Sequence, residues 1–174
     1  IGKGAFKGCS SLSFAAIPDG VAFIGEKAFF GCSALEKVTL PESVTELHTS
    51  AFENCSSLLK AELRGVKTIG DRAFYNCAAL SEISFSPSLK EIGAFAFSVN
   101  TSLEKVTLPP NTELVSDKAF SRCTSLKTVT VFSEALKMSA TALDGCTSLY
   151  AIYGSSAFSS EAASGIRNAT VSFD

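Results

Sequence analysis

The chain has 174 residues, of which 46% are apolar and 18% are charged, as expected for one folded domain. Fifteen basic residues against 17 acidic ones give a formal net charge of −2, so the charge balance gives no basis for binding nucleic acid or an anionic membrane. No apolar run approaches the roughly 18 residues that a membrane span needs, so we expect no membrane insertion.

A repeat of 22 or 23 residues runs through the sequence in seven copies. The dipeptide Ala-Phe occurs in six of them, at Ala5-Phe6, Ala28-Phe29, Ala51-Phe52, Ala73-Phe74, Ala96-Phe97 and Ala119-Phe120. Ala142-Leu143 is a weaker seventh copy. A cysteine stands three residues after the Phe and a leucine three residues later, and Asn100 fills the one place where cysteine is missing. This period predicts a solenoid, because a unit this short cannot bury its apolar face alone and must stack on its neighbours.

Each copy is predicted to contain one short strand. In Val38-Thr39-Leu40 the outer two residues are apolar and the middle one is polar, which is the alternation of a half-buried strand. Proline follows the strand in several copies, at Pro18, Pro41 and Pro109, and is expected to stop it, because it offers no backbone donor to a ladder. The other half of the unit, IGEKAFFGC, has room for no more than a turn or two of helix.

Three residue columns are interpreted as structural. The phenylalanines of the Ala-Phe pairs are expected to form a buried stack. The cysteines are expected to be small core residues with free thiols, because their spacing fits no zinc site and Asn100 fills the same place without bridging. The glycine after the isoleucine is expected to serve close packing, because His48 and Ser116 share its position, and His48 itself is expected to be a solvated turn residue.

Two columns of side chains are predicted to point outward from the strands and to form the binding surface of the solenoid. Lysine, β-branched and polar residues dominate them. The predicted ligand-binding residues are Lys37, Thr39, Lys60, Glu62, Lys105, Thr107, Thr130 and Tyr153. A plain solvated sheet face is the alternative, in which threonine serves strand propensity and lysine serves solubility.

The two ends of the chain depart from the repeat. Residues 154–174 break the period and are predicted to be a C-terminal cap, in which Phe158 and Phe173 seal the last copy. The sequence begins at the very start of a unit, so we expect upstream repeats in a longer protein. An uncapped first strand is also a pairing edge, and self-association through this N-terminal end is a further expectation.

The repeat pattern I-G-x-x-A-F-x-x-C-x-x-L-x-x-[IV]-x-[IL]-P resembles the BspA-type (Treponema-like) leucine-rich repeat from residue 1 to about residue 153. The cysteine precedes the leucine, whereas the commoner leucine-rich repeat places its Asn or Cys after the strand. The resemblance implies an α/β fold: a right-handed leucine-rich-repeat solenoid, with short parallel strands on the concave face and short helical turns on the convex face. The whole chain, residues 1–174, would then be a single domain.

The resemblance also implies a bacterial protein that is secreted or displayed on the cell surface, and that mediates adhesion. Its partner would be an extracellular protein or glycan, such as the host matrix proteins fibronectin and fibrinogen. No paired catalytic residues interrupt the period, so we expect no enzyme and no cofactor. The alternative function is a structural spacer, a repeat array that holds a neighbouring domain away from the cell envelope.

Overall fold

The computed structural model describes residues 1–154 and 170–173, and in these residues the chain is a solenoid of stacked coils whose strands all pair in parallel. Each coil corresponds to one copy of the sequence repeat. The four-residue strands are β2 (Lys37–Leu40), β4 (Lys60–Leu63), β6 (Glu82–Phe85), β8 (Lys105–Leu108), β10 (Thr128–Val131), β12 (Ala151–Gly154) and β13 (Thr170–Phe173). The two-residue strands are β1 (Phe23–Ile24), β3 (Glu46–Leu47), β5 (Thr68–Ile69), β7 (Glu91–Ile92), β9 (Leu114–Val115) and β11 (Lys137–Met138).

The prediction of one strand per copy was wrong, because most copies contribute two. The six two-residue strands form one continuous sheet in the order β1-β3-β5-β7-β9-β11. Their second residue points inward, as Leu47 and Ile92 do with almost no exposed surface. A single inward apolar residue gives too short an alternation to be recognised as a strand in the sequence.

The predicted phenylalanine stack is confirmed. From Phe6 to Phe120, neighbouring rings lie 5.0–5.2 Å apart between centroids, with their planes within 12° of parallel. Phe29, Phe52, Phe74 and Phe97 are fully buried in it. Because each ring contacts the rings of the coils on either side, the stack ties the stability of every coil to that of its neighbours.

The predicted helical turns on the convex face were wrong. No helix occurs in the part of the chain that the structure describes; the IGEKAFFGC segment is a run of turns. The Ala28 amide donates to the Gly25 carbonyl of its own coil, but the next amide, that of Phe29, donates to the Ala51 carbonyl of the following coil at 2.8 Å. Every second amide of the segment thus donates to the next coil and is not available for a hydrogen bond within its own coil, so a helical hydrogen-bond pattern cannot form. Lys27 and Gly31 allow it by adopting positive φ values of 55° and 72°.

The cysteine column takes part in the same contacts between coils. All six cysteines are free, and five thiols donate to the carbonyl of the phenylalanine in the preceding coil, as Cys55 Sγ does to Phe29 O at 3.2 Å. Burial raises the pKa of the Cys32 thiol to about 11 and that of Cys146 to about 12. The five bonded thiols are therefore packed in the core, with Cys146 half-buried, whereas Cys9 of the first coil is exposed and the prediction was wrong for it.

Asn100 fills the cysteine position differently. Its Oδ1 accepts a hydrogen bond from the Cys77 amide of the preceding coil at 2.9 Å. In another coil, the Cys55 amide donates instead to Phe52 O of its own coil, and the Cys77 amide makes no bond of that kind. Its Nδ2 is buried and has no hydrogen-bond partner among the described residues. The contact between the fourth and fifth coils therefore contains a polar group without a partner.

Glycine and histidine behave as predicted. A Cβ added to Gly70 would lie 2.7 Å from the Leu47 carbonyl oxygen, and Gly70 has no positive φ, so the residue serves close packing. Gly65 stands at the one-residue deletion of the third copy, where an added Cβ would clash with the Glu42 carbonyl oxygen. His48 is exposed, 3.3 Å from a Glu46 carboxylate oxygen and stacked on the Phe23 ring.

The predicted cap at residues 154–174 lies mostly outside the described residues. Phe158 falls in the part that is not described. The backbone of β13 pairs in parallel with β12, with Gly154 opposite Phe173. The cap and the single-domain boundaries remain predictions.

We expect the Phe74→Ala variant to lose about 3–5 kcal/mol of unfolding free energy, because it removes a fully buried ring between two stacked neighbours. Chemical denaturation measures this loss. Phe6→Ala is the matched control: Phe6 is 39% exposed and stacks on one ring only, so its loss should be clearly smaller. Equal losses at both positions would contradict the stacked core.

Asn100→Cys should raise the unfolding free energy by about 1–3 kcal/mol, since it removes the buried amide that lacks a partner and supplies a thiol at the position used by the other coils. Denaturation of the variant beside the natural chain tests this. The reverse change, Cys123→Asn, should destabilise. A loss of stability in Asn100→Cys would show that the amide has a partner in solution.

Candidate functional site: the strand face

The two outward columns predicted from the sequence lie in register on the four-residue strands. Lys37 is opposite Lys60 and then Glu82, while Thr39 is opposite Glu62 and then Ser84. In the later coils Lys105 is opposite Thr128 and then Ala151, and Thr107 is opposite Thr130 and then Tyr153. Parallel strands in register place equivalent side chains side by side, so these residues form one surface, which we call the strand face.

The first half of the strand face, on β2, β4 and β6, is a network of ion pairs. Glu62 lies at its centre, 3.2 Å from Lys37, 3.6 Å from Lys60 and 3.2 Å from Arg64. Lys60 also reaches Glu82 at 3.1 Å. Lys37 first, and then Arg64, lower the pKa of the Glu62 carboxyl, and Glu82 raises the pKa of the Lys60 ammonium. These partly exposed charges hold each other in place, so Lys37 and Lys60 are not free cations waiting for a partner.

The second half of the strand face, on β8, β10 and β12, carries one charge in its two columns. That charge is Lys105, which is exposed and has no ion pair among the described residues. Thr107 is exposed, Thr130 is half-buried and Tyr153 is 40% exposed. Ala151, which also lies in an outward column, is buried. The eight predicted binding residues are thus divided between a charged half and a threonine-rich half.

A break in the sheet separates the two halves. The strands β2, β4 and β6 form one sheet and β8, β10, β12 and β13 another, although Cα atoms of β6 and β8 still approach within 8 Å. After β4 and β10 the chain continues with Arg64 and Phe132, whose amides donate to Leu40 O and Leu108 O of the preceding coil. After β8 comes Pro109, which has no amide hydrogen to donate to β6. The strands β2 and β8 end directly before Pro41 and Pro109, as predicted, and both lack a full ladder to the preceding coil.

Pro41 follows the same rule in the second coil. There β2 contacts the first coil through a single bridge, between Phe14 and Lys37, instead of a four-residue ladder. Full ladders occur where the residue after the strand is Arg64, Ser86 or Phe132. The Ser86 amide makes no hydrogen bond to the preceding coil, yet β4 and β6 form a full ladder, so proline at this place accompanies the missing ladders but an amide there is not required for one.

An apolar crevice of about 450 Å³ lies at the break. Its lining residues are Ile83, Ser84, Phe85, Pro87, Thr107, Pro109, Pro110 and Phe132. Phe132 is 59% exposed, and Phe85 packs edge-on against Phe97 of the core at 5.7 Å. A second recess of about 300 Å³ shares Ser84, Phe85 and Pro87 and continues to Glu62 and Arg64. The crevice therefore joins the charged half of the strand face to the threonine-rich half.

Of the crevice residues, only Thr107 was among the predicted binding residues. Phe85 and Phe132 were missed, although Phe132 is visible in the sequence as the residue that replaces proline after a strand. Ile83 and Phe85 occupy inward positions, and they line a crevice only because β6 and β8 do not pair. Noting in the sequence that proline follows β8 but phenylalanine follows β10 would have pointed to the crevice.

Within residues 1–154 and 170–173, no group of three or more His, Cys, Asp or Glu side chains could hold a metal ion. No helix in those residues is long and apolar enough to cross a membrane.

The sequence matches the family model of the BspA type Leucine rich repeat region in six copies, over residues 1–127 and 62–164. No curated protein sequence gives a significant match.

Several solved structures share the fold. A leucine-rich repeat protein from Bacteroides ovatus is 28% identical with a TM-score of 0.79, over 91% of this chain and 41% of that one. The T. pallidum leucine-rich repeat protein TpLRR is 35% identical with a TM-score of 0.74, over 80% of this chain and 66% of that one. The pneumococcal vaccine antigen PcpA is 28% identical with a TM-score of 0.63, over 71% of this chain and 32% of that one. The chain thus corresponds to between about a third and two thirds of the length of these proteins.

Pro109→Ala should restore pairing between β6 and β8, because the new amide can donate to the preceding coil as those of Arg64 and Phe132 do. Amide hydrogen exchange measures the effect: protection should rise in residues 105–109. Pro110→Ala is the control, since residue 110 lies one position beyond the ladder. Unchanged protection in Pro109→Ala would mean that another contact, such as the packing of Phe85 on Phe97, keeps the strands apart.

Proposed function

This chain belongs to the BspA-type leucine-rich repeat family, and we propose that it is a non-enzymatic binding module that holds a protein partner on its strand face. The observation that carries the proposal is the apolar crevice between β6 and β8, with exposed Phe132 at its edge. Binding energy in protein interfaces concentrates on a few aromatic residues around a pocket, and the surrounding polar residues set specificity. The strand face has this arrangement, with an apolar centre between two polar halves.

The charges of the strand face favour a particular partner chemistry. Glu62 and Glu82 are already matched by lysine and arginine side chains, whereas Lys105 has no ion pair among the described residues. Lys105 stands on β8, two residues before Thr107, which lines the crevice. We therefore infer a protein segment that places an apolar side chain in the crevice and an acidic side chain on Lys105.

The proposed setting is the cell surface or the extracellular space of a bacterium. One of the similar structures is that of a pneumococcal vaccine antigen, which supports this proposal. The partner class we propose is an extracellular host protein, with fibronectin and fibrinogen as the first to test. Since the chain corresponds to only part of its relatives, other regions of a longer protein would share in the activity.

Phe132→Ala and Lys105→Glu should each weaken binding to the partner found in a screen of fibronectin and fibrinogen, by about tenfold or more. The first change removes the exposed ring at the crevice, and the second reverses the charge that meets the partner's acid. Surface plasmon resonance measures both affinities, and only Lys105→Glu should also change the dependence on salt.

Leu59→Ala and Lys67→Glu are the matched controls, because both residues are exposed and neither lines the crevice. Equal effects in the controls and the test variants would disprove the assignment of the strand face. No binding of any matrix protein by the natural chain, together with a longer protein that still places its other domains correctly, would favour the spacer function instead.

A further inference from the structure

On the convex side, the fifth and sixth coils differ from the others at one position of the turn segment. The residue after the Ala-Phe pair is large or charged in the other coils, but it is Ser98 in the fifth coil and Ser121 in the sixth. The two serines leave a cavity of about 330 Å³, which we call the convex cleft. Tyr75 of the fourth coil closes one end and Asp144 of the seventh closes the other. At about 4.8 Å per coil, these ends are roughly 14 Å apart.

The floor of the cleft carries a hydroxyl group that can still donate. Ser98 and Ser121 are 2% and 4% exposed, and their Oγ atoms lie 2.8 Å apart. Two hydroxyls hold two hydrogens, and the bond between them uses one. The other has no acceptor among the described residues, so it is available to a group bound in the cleft.

The walls of the cleft combine aromatic rings with cations. Phe95 and Lys118 line one side and Val99 and Arg122 the other. Lys118 and Arg122 make no ion pair among the described residues, and the Lys118 ammonium lies 5.6 Å from the centre of the Phe95 ring. Phe95 has the positive φ that Lys27 and Arg72 also have at the same position of their coils, so its backbone follows the repeat.

We propose that the convex cleft binds a carboxylated sugar, such as the uronic acid unit of a glycan. The sugar ring would lie against the edges of the Tyr75 and Phe95 rings, because Arg72 lies over both rings and Lys118 over that of Phe95. Its carboxylate would pair with Lys118 and Arg122. The serine floor would donate to a ring hydroxyl. The cavity volume is at the lower end of the range for small-ligand sites, which suits one sugar unit.

Asp144 separates this ligand from an acidic peptide. Its carboxylate repels the carboxylate of either ligand, but it can accept hydrogen bonds from the hydroxyls of a sugar, whereas a glutamate or aspartate side chain offers it no donor. The cleft lies on the turn segments and shares no lining residue with the crevice of the strand face, so this site does not depend on the proposed protein partner.

The test is an NMR titration of the whole chain with D-glucuronic acid, D-glucose and a hexaglutamate peptide, followed through the backbone amides. Glucuronic acid should shift the resonances of Ser98, Ser121 and Phe95, with an affinity at least tenfold higher than that of glucose or the peptide. Equal affinity for glucose would remove the role of the cations. Preference for the peptide, or no shift with glucuronic acid, would overturn the proposal.

Variants make the test specific. Lys118→Gln with Arg122→Gln should lower the affinity for glucuronic acid about tenfold, and Ser98→Tyr should abolish binding by filling the cleft as Tyr75 fills the same position in its own coil. The controls are Lys67→Gln and Phe132→Ala, which should bind as the natural chain does. Binding that survives Ser98→Tyr, in a variant with an unchanged denaturation midpoint, would place the ligand elsewhere.

If glucuronic acid binds and the strand-face screen fails, only the proposed protein-binding function falls. If the screen succeeds and glucuronic acid does not bind, only the convex site falls. A polymer of glucuronic acid units and a glycoprotein that carries the same sugar can then be compared on the same chip, to tell a free polysaccharide from a protein-linked glycan.

Discussion

The structure depends on one constraint: a coil of 22 or 23 residues buries its apolar side chains only against the coils on either side of it. The phenylalanine stack shows this most directly, because each internal ring is sandwiched between the equivalent rings of its neighbours. The backbone obeys the same constraint. Amides on the convex side alternate between their own coil and the next, and the cysteine thiols donate to the coil before. Hydrogen bonds and packing therefore act across the same boundaries between coils.

Much of this arrangement could be predicted from the sequence, because the repeat fixes which residues are equivalent. The buried phenylalanines and the free cysteines follow from their equivalent positions in successive copies. The outward columns follow from these positions together with the alternation of apolar and polar residues along each strand. The turns of the convex face could not be predicted in this way. Whether IGEKAFFGC forms a helix depends on where its amides find acceptors, and half of those acceptors belong to another coil. The positive φ at residues such as Lys27 and Arg72 could not be predicted either, because these residue types do not favour that conformation.

The candidate site shows the same limit. Its lysines and threonines were located correctly on one surface, but the sequence did not reveal that Lys37 and Lys60 are paired with Glu62 and Glu82. It also did not reveal the crevice, because Phe85 occupies a position that is buried in other coils. The crevice lies where β6 and β8 do not pair, next to Pro109. Departures from the repeat mark both proposed sites, and Phe132, Ser98 and Ser121 are departures of this kind.

The boundary between the fourth and fifth coils combines two of these departures, the missing ladder between β6 and β8 and the buried Asn100 amide without a partner. On the other sheet β7 and β9 remain hydrogen-bonded, and the Phe74 and Phe97 rings stay stacked. The array is therefore joined on one edge and loose on the other at this point. The turn segments and the two-residue strands alone hold the coils together here, so a force that bends the array should part these four-residue strands before those that form a full ladder.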